Sequence, residues 1–379
     1  MRPSISARNR VALVLQGGGA RGGYQIGALK AIAEITGGRR SPFAIVCGAS
    51  VGAINAAPFA AISEDFQTGV RHLEELWRGL HCDSIYDART LPLLGTGARW
   101  IWTLMFGHLG LGAPGAILDY TPLRELVERE YKPRRVDRAI RNGALHALCI
   151  TASSYAEGKA VTFFHAHENM EEWSRARRSG VRARIEPKHM LASSALPFIF
   201  EPVELNGHYY GDGALRLTAP LSPAIRAGAD RVMVIAARDN LSEPAADGPD
   251  RPPSIGEMAG HALDILFNDN LDSDVERMTR INHTLSLIPE DARAETPLRR
   301  IEMTMLSPSR DLRHIAGEHE SEMPAALRML MRTLGTWGSD GRLVSYLLFE
   351  PGYVGTLIDL GYSDTIARAD EIRAFLDDS

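Results

Sequence analysis

The chain has 379 residues, of which 45% are hydrophobic and 23% charged, a balance that suits one large folded α/β unit or two modest ones and excludes disorder along the whole length. A formal net charge of −5 singles out no partner, and basic residues are not interleaved with aromatics, so nucleic-acid binding has no support. No run approaches a bilayer-spanning length, and VALVL after the polar amino terminus is too short for a signal-peptide core.

Residues 11–16, VALVLQ, read as a strand ending in glycines. Apolar positions from Tyr24 to Ile35 then predict a helix stopped by Gly37-Gly38. FAIVC, the tight turn GAS and VGAINAAPFAAI repeat the strand–turn–helix pattern, which argues for a parallel sheet with helices on its faces. Between 66 and 85 the pattern is helical, with Phe66, Val70, Leu73, Leu76 and Trp77 on one side. Residues 91–118 are apolar, aromatic and glycine-rich. The segment 121–130 predicts a helix capped by Thr121, with Pro122 in its first turn. Strands are expected at 144–153, 160–164 and 231–237, and a helix at 187–195. The Arg-rich segments 134–141 and 175–184 read as solvated helix surface.

A proline-dense polar loop at 238–254 marks a boundary. Beyond it we expect a helix from 255 to near 288, broken around Asn268–Asp274, then a strand at 301–306 and helices at 321–334 and 364–377. Cys47, Cys82 and Cys149 have no paired spacing; Cys47 and Cys149 fall in buried strands, and none resembles a metal ligand. The default location is cytoplasmic, with contact to the inner membrane or another lipid surface left open, and homo-oligomerisation is unspecified.

Gly17-Gly18-Gly19-Ala20-Arg21-Gly22 fits G-x-G-x-x-G between a strand and a helix, the setting of a dinucleotide fingerprint. Its usual acid is missing. Arg39 and Arg40 keep open an NADP-linked oxidoreductase in which they accept a 2′-phosphate. The same backbone also suits an oxyanion hole, because N–H groups of Gly18, Gly19 and Ala20 converge at a helix start. Close helix–sheet packing is the third reading.

Gly48-Ala49-Ser50-Val51-Gly52 is G-x-S-x-G between strand and helix. The pattern suits a nucleophile on a sharp turn, with flanking glycines where neighbours leave no room for side chains and the Val51 N–H as an oxyanion donor. A small-residue corner is the alternative. A serine nucleophile needs a base, yet His208, His261, His283, His314 and His319 all lie in polar or helical contexts that explain them otherwise. Asp212, between Gly211 and Gly213, stands out instead, either as a solvated turn residue or as a carboxylate held against Ser50.

The blocks GGGARG (17–22), GASVG (48–52) and GDGA (211–214), with LASSALPFIFEPVELNGHYYGDGALRLTAPLSPAIRAGADRVMVI, resemble the patatin-like phospholipase family over residues 10–237. The resemblance implies a patatin-like three-layer α/β sandwich with a mostly parallel central sheet. It implies a catalytic domain over 8–240, with a helical or cap insertion at 66–143, and a helical C-terminal extension over 241–379 packed on it. It also implies a serine esterase acting on a lipid ester through an acyl-enzyme, with Ser50 as nucleophile, Asp212 as base and no cofactor or metal. Gly17, Gly18, Gly19, Ala20 and Val51 would form the oxyanion hole, supported by Arg21, Gly48, Gly52 and Gly213. Ala214 stands where many members carry glycine, and Thr218 replaces a common asparagine. The segment 345–364 resembles an added region of a bacterial subset. An acyl slot is sought among Trp100, Trp102, Leu104, Met105 and Phe106, as lid or as core, and around Leu347, Leu348 and Phe349. A non-catalytic lipid-binding protein of the same fold and a lipid acyltransferase are the rival functions.

Overall fold

The computed structural model describes residues 10–87, 116, 118–238, 255–293, 295–333 and 341–377. Its sheet contains β1 (Val11–Leu15), β2 (Ile45–Ala49), β3 (Ala147–Ser154), β4 (Lys159–Ala166) and β5 (Trp173–Arg175). It continues with β6 (Arg178–Arg182), β7 (Val203–Leu205), β8 (His208–Gly211), β9 (Arg231–Ile235) and β10 (Glu302–Leu306). The spatial order is β10-β9-β1-β2-β3-β4-β6-β5, with β8 also pairing β3 and β7 pairing β8. From β10 to β3 every neighbour is parallel; the β3–β4, β5–β6, β3–β8 and β7–β8 pairs are antiparallel.

The apolar runs of β1, β2 and β9 are continuous because both faces of the sheet are covered. Alternation sends Val11, Leu13 and Leu15 into one core with α1 (Gly22–Thr36), α2 (Val51–Ala61) and α3 (Phe66–Arg78). Ala12 and Val14 enter a second core, on the other face, with Leu221, Ala224, Leu271 and Met278. The result is a mostly parallel sheet between two helical layers. Cys47 and Cys149 are register partners on β2 and β3 and are buried in that second core.

Helices α4 (Thr121–Glu130), α5 (Pro133–Arg141) and α6 (Pro187–Ser194) follow the first core elements. Thr121 is not the cap expected of it. It is the first helical residue, and Asp119 accepts from its backbone N–H and hydroxyl. Of the arginines in 175–184, Arg175, Arg178 and Arg182 lie on β5 and β6, Arg177 on the turn between them and Arg184 just beyond β6, none of them on a helix. The expected helix at 66–85 ends at Arg78, and a separate turn of helix covers Cys82–Ile85.

The boundary loop expected at 238–254 lies, apart from residue 238, outside the described residues; after it, α7 (Ile255–Asp264) passes into a π-helical turn, Ile265–Asp269, and then α8 (Asn270–Leu287). The interruption thus comes a few residues before the expected position. Ala325–Thr333 is helical, as expected, but Leu312–Glu318 adds a helix that the sequence reading lacks. So do α9 (Arg342–Leu347) and α10 (Pro351–Ile366); α11 (Ala369–Asp377) then ends the described chain. The helix expected at 364–377 therefore spans the end of α10 and all of α11.

Glycines let α10 lie directly on α1. A Cβ at Gly27 would overlap the Ile358 carbonyl oxygen, and one at Gly361 would overlap that of Tyr24. Gly27→Ala should therefore force these helices apart and cost about 1–3 kcal/mol, read as a lower midpoint in urea unfolding. An unchanged midpoint would show that the crossing relaxes freely.

Candidate active site

Parallel strands bring their carboxyl ends to one edge, and the conspicuous motifs gather there. Leu15 pairs with Gly48, Ala49 with Thr151, and Ser153 with Gly211, so the loops after β1, β2 and β8 are neighbours. Ser50 links β2 directly to α2 with φ 55° and ψ −132°, a conformation that costs a non-glycine residue roughly 1–3 kcal/mol. The turn is held shut from both sides. A Cβ at Gly48 would overlap the Gly52 carbonyl, and one at Gly52 would overlap the carbonyl of Leu15. Ser193 on α6 secures the strained residue: its hydroxyl accepts from the Ser50 N–H at 3.0 Å and donates to the Thr151 carbonyl at 2.6 Å.

The Ser50 hydroxyl donates to Asp212 Oδ2 at 2.6 Å. Asp212 is wholly buried, its Oδ1 accepts from Ala214 N–H at 2.9 Å, and its own N–H donates to the Ala195 carbonyl at 2.8 Å. Gly213 packs against the carbonyl of Thr151. Burial pushes the Asp212 carboxyl up to about 7, against the downward pull of the bonds from Ser50 and Ala214. The turn aspartate is thus not solvated.

The glycine loop adjoins this pair. Gly19, with φ 56°, lines the same cavity as Ser50, Val51 and Asp212. Gly17 is close enough that an added Cβ would sit 3.0 Å from that of Ser50. No hydrogen bond among the described residues uses the N–H of Gly18, Gly19 or Val51, as helix starts dictate. Gly18 and Ala20 belong to the loop but not to the cavity wall. The Arg21 side chain points away from Ser50, to Ser345 and Asp264. Arg39 and Arg40 precede β2, at the opposite edge of the sheet from the glycine loop, so the NADP reading loses its 2′-phosphate partner.

An apolar cavity, open at its mouth, leads away from Ser50. Val51, Ile54 and Pro58 form one stripe along α2, facing Leu73, Leu76 and Trp77 of α3 and Leu123, Leu126 and Val127 of α4. Leu347 and Phe349 line it as expected, whereas Leu348 is fully buried elsewhere in the core. The candidates Trp100, Trp102, Leu104, Met105 and Phe106 lie outside the described residues. Among the described residues no histidine lines the cavity; His208, His261, His283 and His314 are exposed, and His319 bonds Glu322. Ser193, Phe267 and Tyr346 were not singled out by the sequence. Phe267 and Tyr346 stack with ring centroids 5.3 Å apart beside Ser50 and Gly19.

The chain is similar in fold to VipD from Legionella pneumophila, with 11% identity, a TM-score of 0.36, and coverage of 96% of this chain and 67% of that one. Human GIVD cytosolic phospholipase A2 in complex with methyl gamma-linolenyl fluorophosphonate is 10% identical with a TM-score of 0.43, over 98% of this chain and 59% of that one. The ExoU–SpcU complex of the Pseudomonas aeruginosa type III secretion system gives 15% identity, a TM-score of 0.28, and coverage of 96% and 77%. No curated protein matches the chain. The family model described as patatin-like phospholipase matches residues 13–225, more than half of the chain, and the chain belongs to that family.

Proposed function

We propose that the protein is a serine hydrolase that releases fatty acid from phospholipid or other lipid esters through Ser50 and Asp212. Family membership supports lipid hydrolysis in general. The finer reading is carried by the 2.6 Å bond from Ser50 to a buried carboxylate at the head of an apolar slot.

Asp212 takes the Ser50 proton as Oγ adds to the ester carbonyl. Charge then grows on an oxygen that the N–H groups of Gly19 and Val51 can receive, with Gly18 behind them in the same loop. Collapse expels the alcohol, which leaves with the proton from Asp212. Water, deprotonated by the same carboxylate, attacks the acyl-enzyme, and Asp212 returns the proton to Ser50 Oγ as the acyl–oxygen bond breaks and the acid leaves. The dry setting that raises the Asp212 pKa makes it a far better base than a carboxylate in water. A bond to Ala214 N–H keeps its other oxygen fixed while Oδ2 exchanges the proton. The apolar slot lined by Ile54, Leu123 and Phe349 suits an acyl chain.

Incubation with a mixed lipid extract should release free fatty acid. Because the carboxylate must be ionised, kcat/KM should fall tenfold per unit below about pH 7 and level off above it. A profile flat from pH 5 to 8 would take Asp212 out of the role of base. Absence of fatty-acid release from any lipid class would overturn the hydrolase reading.

A further inference from the structure

Arg21 leaves the glycine loop and inserts into the C-terminal region, where its side chain is only 3% exposed. Nε and Nη2 donate to Ser345 Oγ at 3.0 and 2.7 Å, while the guanidinium lies 3.9 Å from the centroid of the Tyr346 ring. Nη1 stands 3.6 Å from Asp264 Oδ1. That same oxygen accepts from the Tyr346 hydroxyl at 2.7 Å, and Oδ2 accepts from Arg342 at 3.0 Å. Ser345 gives its own proton to the Arg342 carbonyl at 2.6 Å, leaving its lone pairs to Arg21. Gly19 lies so near Tyr346 that a Cβ there would overlap the Tyr346 carbonyl.

We infer that Asp264 and Tyr346 are positioning residues of the active site, holding the glycine loop through Arg21. The inference rests on the proposed function. The physical argument is one of charge and of shape. One carboxylate faces two guanidiniums in a partly buried setting, and Ser345 and the Tyr346 ring hold Arg21 in the same direction. Arg21 is two residues from Gly19 and caps α1, so fixing its side chain fixes the turn that lines the cavity beside Ser50. Tyr346 bonds Asp264, stacks under Arg21 and blocks outward movement of Gly19 with its backbone. All three partners, Asp264, Ser345 and Tyr346, lie beyond residues 13–225 matched by the family model. In this chain, then, the added C-terminal region completes the site.

The test uses the full chain with a short acyl p-nitrophenyl ester. Asp264→Asn should lower kcat about tenfold or more with little change in KM, since the loop meets charge that develops in the transition state. Arg21→Gln should lose a similar factor, and the double variant should be no worse than Arg21→Gln alone. An unchanged kcat in Asp264→Asn, or losses that multiply in the double variant, overturns the inference. Should Asp264→Asn fail to fold, Tyr346→Phe removes only the hydroxyl donated to Asp264 and takes its place in the same comparison. Amide hydrogen exchange reads positioning without turnover. It should quicken over residues 15–24 in both variants and stay constant over α3; unchanged exchange over 15–24 defeats the inference. A wild type without turnover, or a Ser50→Ala variant that keeps it, defeats the proposed function and leaves the exchange result to decide the inference.

Discussion

Ser50→Ala and Asp212→Asn should each slow hydrolysis of a short acyl p-nitrophenyl ester by at least ~1,000-fold, because nucleophile and base act as a unit and neither works alone. Asparagine can still accept from Ala214 N–H and donate to Ser50 Oγ, so the geometry survives while the proton acceptor is lost. The two variants should part in stability. In the folded chain the Asp212 pKa lies near 7, against an ordinary value of 3.8. A raised carboxylate pKa means that the fold favours the protonated form. Its contribution to stability is complete below the ordinary pKa and is lost as pH rises through about 7. Above that point the buried charge costs up to about 4 kcal/mol. Asp212→Asn should therefore unfold at a higher temperature than wild type at pH 8, with the gain shrinking towards pH 4. Near-normal turnover in Asp212→Asn would remove the carboxylate from the mechanism.

What was legible in the sequence is what the backbone demands locally. Gly48 and Gly52 flank Ser50 because side chains there would collide with carbonyls, and such a demand leaves a fixed spacing that can be read. Asp212 is conspicuous between two glycines for a similar reason. Strands β1, β2 and β9 are legible because burial on both faces leaves apolar or small residues throughout, Arg231 at the start of β9 excepted.

Other features arise from packing between distant segments and leave no local mark. Helix α10 contains Gly352, Gly355 and Gly361, which obscure a helical pattern; Gly361 sits where the α1 backbone presses close. Arg175, Arg178 and Arg182 suggest a charged helix face, yet they lie on outer strands, where charged side chains discourage further strand pairing. Asn206-Gly207, with φ 53° and 81°, turns β7 into β8. That hairpin signal was present in VELNGHYY but is passed over by a reading based on apolar runs. Ser193, Asp264 and Tyr346 gain their roles only when α6 and the C-terminal helices fold against the glycine turns.

The cavity stripe on α2 was hidden for a different reason: nearly every residue of that helix is buried, so no polar face distinguishes slot from core. Only Ile54 and Pro58 are half-buried among its residues, and with Val51 they share the face that opens into the slot. At 1.5 Å per residue the stripe carries the slot about 10 Å from Val51 to Pro58. Ile54→Trp should fill it one turn beyond Ser50. A palmitate ester should then lose about 100-fold or more in kcat/KM, while an acetate ester, too short to reach position 54, stays within about threefold of wild type. The acetate rate also guards against misreading a folding defect, because distortion of the Ser50 turn would lower both substrates together. Parallel loss would mean that the acyl chain follows another path. Selective loss of palmitate would place it along Val51, Ile54 and Pro58, and would tie the strained serine and the slot to one helix.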